Sequence, residues 1–349
     1  MKRPTAMTHT VPSNSEELDA LISAPTEAVI ETVRRHSGDY AVLGASGKMG
    51  FHLCLMLQRA LQALGRTEQV RAVSRFGTPG SRAKFQQAGC EVLVADLSES
   101  EQLRKLPETE NLFFLAGVKF GTAHDPELLE NMNVRMPARV ADRFRQSRIV
   151  ALSTGCVYSF TSPESGGSTE DAPTDPPGDY ARSCMGRERA FCNAAEHFGT
   201  RSALIRLNYS IDLRYGVLVD IAQKVLAGDP VDVTTGYVNV IWQGDALTCT
   251  IQSLAHVSKP PCIVNVTGPG VLSVRELALA FGDRLERDVV FTGKEDSLAW
   301  LNNASRAHSL FGAPDVSLEQ MLDWITAWLK NGRELLGKPT HFESRDGRY

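Results

Sequence analysis

No apolar run in this chain approaches the roughly 20 residues that a membrane-spanning helix needs. The opening stretch, Met1-Lys-Arg-Pro-Thr-Ala-Met-Thr-His-Thr10, also lacks the apolar core of a signal peptide, so the cytoplasm is the expected compartment and no membrane partner is expected. Positive charge is in short supply: 37 Lys and Arg against 41 Asp and Glu leave a net charge of -4, too little basic field to argue for a nucleic-acid partner. The seven cysteines are scattered, odd in number and without a C-x-x-C pair, which argues against a disulfide framework or a zinc site. Eight histidines form no ligand cluster, so no metal is expected.

What is present is material for a large core. At 349 residues, 42% of them hydrophobic and 22% charged, the chain reads as one large domain with a smaller lobe. Its organising stretch is Asp39-Tyr-Ala-Val-Leu-Gly-Ala-Ser-Gly-Lys-Met-Gly50. Ala41 to Leu43 make a short buried strand, and Gly44, Gly47 and Gly50, with Ser46, Lys48 and Met49 among them, have the spacing of a dinucleotide-binding turn. Such a turn lets the backbone approach a pyrophosphate, which then sits on the N-terminus of the following helix.

Around this stretch, strands and helices alternate. Residues 1–38 read as an extension, a loose tail before about Asn14 and then one or two helices with apolar residues at helical spacing. After the turn come a helix from Phe51 to about Leu64 and a strand at Gln69–Arg75, ending in Ser74 and Arg75 with no carboxylate. At that position an acidic residue binds the ribose of NAD and an arginine accommodates the 2′-phosphate of NADP, so NADP is favoured over NAD. Glu91–Leu97 is a third strand, whose Asp96 either faces the adenine or caps the next helix. Asn111–Gly117 is a fourth, after which Ala116, Gly117 and Gly121 permit close approach and Lys119 places a cation near the cofactor phosphates. A helix over about 126–146 and a strand at Arg148–Thr154 follow. The alternation predicts an α/β fold, a Rossmann-type doubly wound parallel sheet over 39–207. Residues 208–349 are expected to form mainly the smaller C-terminal substrate lobe, with strands near 238–241 and 262–266 returning to the main sheet and a frayed end after Gly332.

These segments resemble the extended short-chain dehydrogenase/reductases, the NAD-dependent epimerase/dehydratase family that includes UDP-galactose 4-epimerase. The resemblance spans roughly residues 39 to 330. It rests on the glycine turn, Asp96-Leu97, Ala116-Gly-Val-Lys119, Asn133-Val134, Leu152-Ser-Thr-Gly-Cys-Val-Tyr158, the Tyr180 helix, Arg206-Leu-Asn208, Asn239–Asp245, Asn265–Gly268 and Ala304–Pro314. It implies an NAD(P)-dependent epimerase, dehydratase or dehydrogenase acting on a sugar, sugar acid or nucleotide sugar. It also implies a homodimer formed through helices near 126–145 and 180–198, with Met185, Phe191 and Ala194 on the shared surface. By the same resemblance Thr154 is the catalytic hydroxyl, Tyr180 moves the proton and touches the cofactor, and Asn208, Tyr209 and Arg214 belong to the substrate pocket.

One family residue is missing. The lysine four positions after the tyrosine is Cys184, and a thiol near its usual pKa is neutral. Arg187, seven residues after Tyr180, returns to within roughly 20° of its helical face and is the candidate substitute. The rival reading is a catalytically silent dinucleotide-binding sensor or interaction module.

Overall fold

The computed structural model describes residues 11–119 and 125–345. Apolar strands form the centre because helices cover both of their faces. The strands are β1 (Tyr40–Leu43), β2 (Val70–Ser74), β3 (Glu91–Val94), β4 (Asn111–Phe114), β5 (Arg148–Thr154) and β6 (Ser202–Leu207). With the strand Cys262–Val266 they make one parallel sheet, ordered Cys262–Val266, β6, β5, β4, β1, β2, β3. The chain winds outward from β1 in one direction and from β4 in the other, which leaves a crevice at the carboxyl ends of these two neighbours.

Among the described residues, eight α-helices belong to the first part of the chain: α1 (Ser15–Ile22), α2 (Glu27–Arg35), α3 (Gly50–Ala63), α4 (Ser81–Gln87), α5 (Ser100–Lys105), α6 (Pro126–Glu130), α7 (Met136–Arg143) and α8 (Gly178–Phe198). Alternate side chains of β1 sort between two cores. Tyr40 and Val42 pack with α1 to α4, while Ala41 and Leu43 pack with α5, α7 and α8. The helix expected over 126–146 is interrupted by one wide turn, Asn131–Arg135, that holds Asn133. Such turns often mark functional positions.

The N-terminal extension is tied into the fold. Asp19 on α1 accepts hydrogen bonds from His52 on α3 (2.7 Å) and from Arg214 in the second lobe (2.8 Å). Residues 1–10 of the expected loose tail lie outside the described residues. No helix among the described residues is long and apolar enough to cross a membrane.

Two expectations are corrected. Residues 238–241 do not return to the main sheet: Tyr237–Val238 pairs with Leu272–Ser273, and Ile241–Trp242 pairs with Ser210–Ile211. The free edge of β6 is already taken by Cys262–Val266. Residues 333–345 do not fray either, and the last four residues of the expected frayed end lie outside the described residues. Thr340 donates to Asp220 through its backbone N–H (2.8 Å) and its hydroxyl (2.6 Å), Lys224 pairs with Glu343 at 2.7 Å, and Phe342 is 2% exposed. A single aromatic anchor in a polar stretch gives no periodic signal, which is why composition hides it.

Candidate active site

The glycine turn sits at the crevice between β1 and β4. Gly44 has φ of +87°, and a Cβ there would stand 2.7 Å from the Ala116 backbone N; at Gly50 it would stand 2.3 Å from the Ala45 carbonyl oxygen. Both positions therefore require glycine for local geometry. Gly47 differs, being exposed and meeting only the Gly44 carbonyl oxygen at 3.2 Å, so its missing side chain leaves space outside the chain. α3 begins at Gly50 with no side-chain cap and no acidic residue in its first turn. Its free N–H groups and dipole suit an anion.

Two cavities flank this turn. One, of about 190 Å³, is lined by Gly44, Ser46, Gly47, Ser74, Arg75, Asp96, Leu97, Ala116 and Gly117, among others. Ser46 and Ser74 share a hydrogen bond of 2.5 Å across the turn. Asp96 accepts from the Ser98 N–H and hydroxyl at 2.9 and 2.6 Å, and stands 3.8 Å from Arg75. It thus both braces the start of the next segment and faces the cavity.

The other cavity, of about 320 Å³, is lined by Gly44, Gly47, Lys48, Met49, Gly50, Lys119, Thr154, Cys156, Tyr180, Asn208 and Tyr209, with Ser210, Tyr215 and Thr340 at its second-lobe side. Together the two walls contain every residue expected to touch a cofactor. Gly121 lies outside the described residues. Lys48 reaches across, donating to the Ser210 carbonyl (3.1 Å) with its Nζ 3.9 Å from the centre of the Tyr215 ring. Burial pulls this ammonium down to about 8.

Thr154 ends β5, and its Oγ1 accepts from the Cys156 N–H at 3.2 Å, which keeps the hydroxyl proton available to the cavity. Tyr180 enters from the first turn of α8, with Cys184, Arg187 and Glu188 on the same helical face. Burial pushes the Tyr180 phenol well above its ordinary value; the neighbouring Cys184 thiol adds to this and Arg187 opposes it. Burial likewise raises Cys184, which remains a neutral thiol at neutral pH.

Arg187 points beneath the cavity. Its guanidinium donates to the Leu152 carbonyl (3.0 Å) and to Asn133 Oδ1 (2.8 Å), and it is not among the lining residues. Arg214 also lies off the lining, held by Asp212 and Asp19. Phe191 and Ala194, placed by the sequence on a dimer surface, are 0% and 3% exposed, with Phe191 packed edge-on against Phe114. Trp242 packs against Trp324 in the core. Cavity residues given no role from sequence include Cys156, Gly216 and Thr340. Thr340 had no local signal, since it arrives only because the chain end folds back.

Residues 40–211 match the family model described as the NAD dependent epimerase/dehydratase family. No curated protein matches the chain by sequence. Among solved structures, the chain is similar to UDP-glucuronic acid 4-epimerase from Bacillus cereus in complex with NAD: 17% identity, TM-score 0.70, covering 85% of this chain and 100% of that one. It is also similar to the UDP-glucose 4-epimerase of Thermus thermophilus in complex with NAD, with 19% identity, TM-score 0.68 and coverage of 84% and 99%. A third similar structure is dTDP-glucose 4,6-dehydratase from Streptomyces venezuelae with NAD bound, with 19% identity, TM-score 0.69 and coverage of 84% and 97%. At these identities the likeness establishes the fold.

Proposed function

We propose, from the premise that residues 40–211 belong to the NAD dependent epimerase/dehydratase family, that this protein is an NAD(P)-dependent enzyme. It acts as an epimerase, dehydratase or dehydrogenase at a hydroxyl or keto carbon of a sugar, sugar acid or nucleotide sugar. The observation that carries the reading is the pair of cavities flanking one glycine turn, the larger having Thr154 and Tyr180 on its wall. The uncapped α3 N-terminus and the open face of Gly47 fit a pyrophosphate.

When bound, the nicotinamide supplies the centre that accepts and returns hydride. The chain's own residues handle position and protons. Ser46, Ser74 and Arg75 hold the adenosine end, Lys48 and Lys119 contribute positive charge along the larger cavity, and Asn208 and Tyr209 shape the substrate side. Thr154 Oγ1 orients the substrate oxygen by a hydrogen bond, Tyr180 Oη takes or gives its proton, and Arg187 lends a fixed charge from below. The seven free thiols suit a reducing cytoplasm.

Calorimetry tests the cofactor site. Wild type is expected to bind NAD or NADP, and Gly47→Val to weaken binding more than about tenfold, a loss of roughly 1.4 kcal/mol or more, without changing the melting temperature. Absence of binding by wild type would reject the reading. Preference for NADP through Ser74 and Arg75 predicts that Arg75→Ala lowers the NADP/NAD affinity ratio; an unchanged ratio removes that part.

A homodimer through the outer faces of α6 to α8 belongs to the same proposal, with the half-buried Met185 still available to it. Light scattering at micromolar concentration should give twice the chain mass of 38.2 kDa. A value equal to the chain mass would reject the dimer.

A further inference from the structure

We propose that Lys119, delivered by the turn after β4, is the cation against which Tyr180 works, taking over from outside the helix the place left without charge at Cys184. The inference rests on the reading of Tyr180 as the acid/base, and adds which residue makes that chemistry workable.

The geometry begins with the pair itself. Lys119 and Tyr180 line the same cavity, and the Lys119 Nζ lies 5.8 Å from the centre of the Tyr180 ring. That is inside the distance at which an ammonium interacts with an aromatic face, and the attraction grows when the phenol becomes a phenolate. Burial draws the Lys119 pKa below its ordinary value, with Cys156 and Cys184 as the neighbouring groups that oppose the shift. Lys119 and residue 184 are thus neighbours at this site.

The turn that carries Lys119 is built to hold it there. Asn133, in the wide turn between α6 and α7, grips the adjacent Val118 from both sides: its Oδ1 accepts from the Val118 N–H at 3.0 Å and its Nδ2 donates to the Val118 carbonyl at 2.9 Å. The same amide is fixed from α8, accepting from Arg187 and donating to Ser183 at 2.9 Å. Gly117 is needed for this arrangement, because a Cβ there would stand 2.1 Å from Arg187 Nη2. Tyr180, Ser183 and Arg187 share one helix, so the helix that presents the phenol also sets the turn that presents the ammonium.

This divides the work of the two cations. Two of Arg187's nitrogens are committed to Leu152 and Asn133, and its Nε finds no partner among the described residues. Arg187 is a positioning residue, unable to reach a ligand from beneath the cavity wall. Lys119 faces the space where the reacting groups meet. The titratable and charged groups that bear on Tyr180 include Cys184 and Arg187 from α8, Cys156 from the turn after β5, and Lys119 from the turn after β4. Of these, Lys119 is the cation on the cavity side.

The test uses the full chain with NAD bound. The Tyr180 phenolate band is read as the ultraviolet difference spectrum against Tyr180→Phe over a pH titration. Lys119→Met should move the band to higher pH by roughly one to three units, or out of the window before unfolding. Adding Cys184→Lys to Lys119→Met should bring it back, which a merely structural role for Lys119 would not do. Lys119→Gln repeats the measurement if Lys119→Met does not fold. An unmoved band, a shifted band that Cys184→Lys does not restore, or a wild type with no band before unfolding would each overturn the proposal. Full turnover by Tyr180→Phe would instead overturn the acid/base reading, while the titration would still report on Lys119.

Discussion

Tyr180→Phe is expected to cut turnover by about 10² to 10⁴-fold, the usual contribution of a positioned acid or base, while leaving NAD affinity unchanged. The substitution keeps the ring that lines the cavity and removes only the hydroxyl that moves the proton. The assay is conversion of UDP-glucose, UDP-glucuronate and dTDP-glucose in the presence of NAD or NADP.

The pH dependence follows from the same phenol. Burial pushes its pKa up, so at neutral pH the deprotonated, base-competent form is scarce. Below the pKa that fraction rises about tenfold per pH unit, and wild-type turnover should climb into the alkaline range. Tyr180→Phe should lose this slope along with its rate. A variant as fast as wild type would remove Tyr180 from the mechanism, and a wild type that binds NAD tightly yet turns over no substrate would favour a dinucleotide-binding module.

Glu188→Ala is expected to cost about 3–5 kcal/mol of stability, because it strands a buried guanidinium. Glu188 and Arg206 are each 4% exposed at the side chain. The pair is bidentate, Arg206 Nε to Oε1 at 3.0 Å and Nη2 to Oε2 at 2.7 Å. Ser153 also donates to Glu188 at 2.6 Å, while Arg206 Nη1 donates to Tyr158 (2.6 Å), whose hydroxyl donates to Asn265 (2.8 Å). The carboxylate therefore ties α8 to the ends of β5 and β6, directly beside Thr154.

Urea unfolding of the single variant and of Glu188→Leu/Arg206→Met separates two meanings of that number. Removing both charges should recover much of the loss, since well-packed apolar groups replace a buried ion pair at little cost. A single-variant loss below about 1 kcal/mol would show that the pair is effectively solvated. If the double variant regains stability but not activity, the network also positions Thr154 and Tyr180.

The main sheet was legible because each strand is a local statement. Asn111 to Phe114 and Tyr40 to Leu43 are short apolar runs bounded by turns, and a parallel sheet covered on both faces needs such runs. The glycine turn was legible for the same reason: Gly44 and Gly50 answer to backbone atoms a few residues away or at a neighbouring strand end. Chain order then put Lys119 and Thr154 at the carboxyl edge of the sheet, and the family resemblance added Tyr180.

Side-chain destinations were decided only in three dimensions. Helical periodicity places Arg187 on the face of Tyr180, but a guanidinium has several acceptors within its reach. Leu152 and Asn133, 35 and 54 residues away, claimed it. Phe191 and Ala194 looked like an open helical face until Phe114 and the rest of the second core covered it. Thr340 reaches the cavity because Asp220, 120 residues earlier, accepts its hydroxyl and N–H. What the sequence determined by itself was backbone conformation and the burial of short runs, set by neighbours along the chain. What needed the tertiary structure was the pairing of polar groups, because each buried donor must find an acceptor and the partner is chosen by proximity in space.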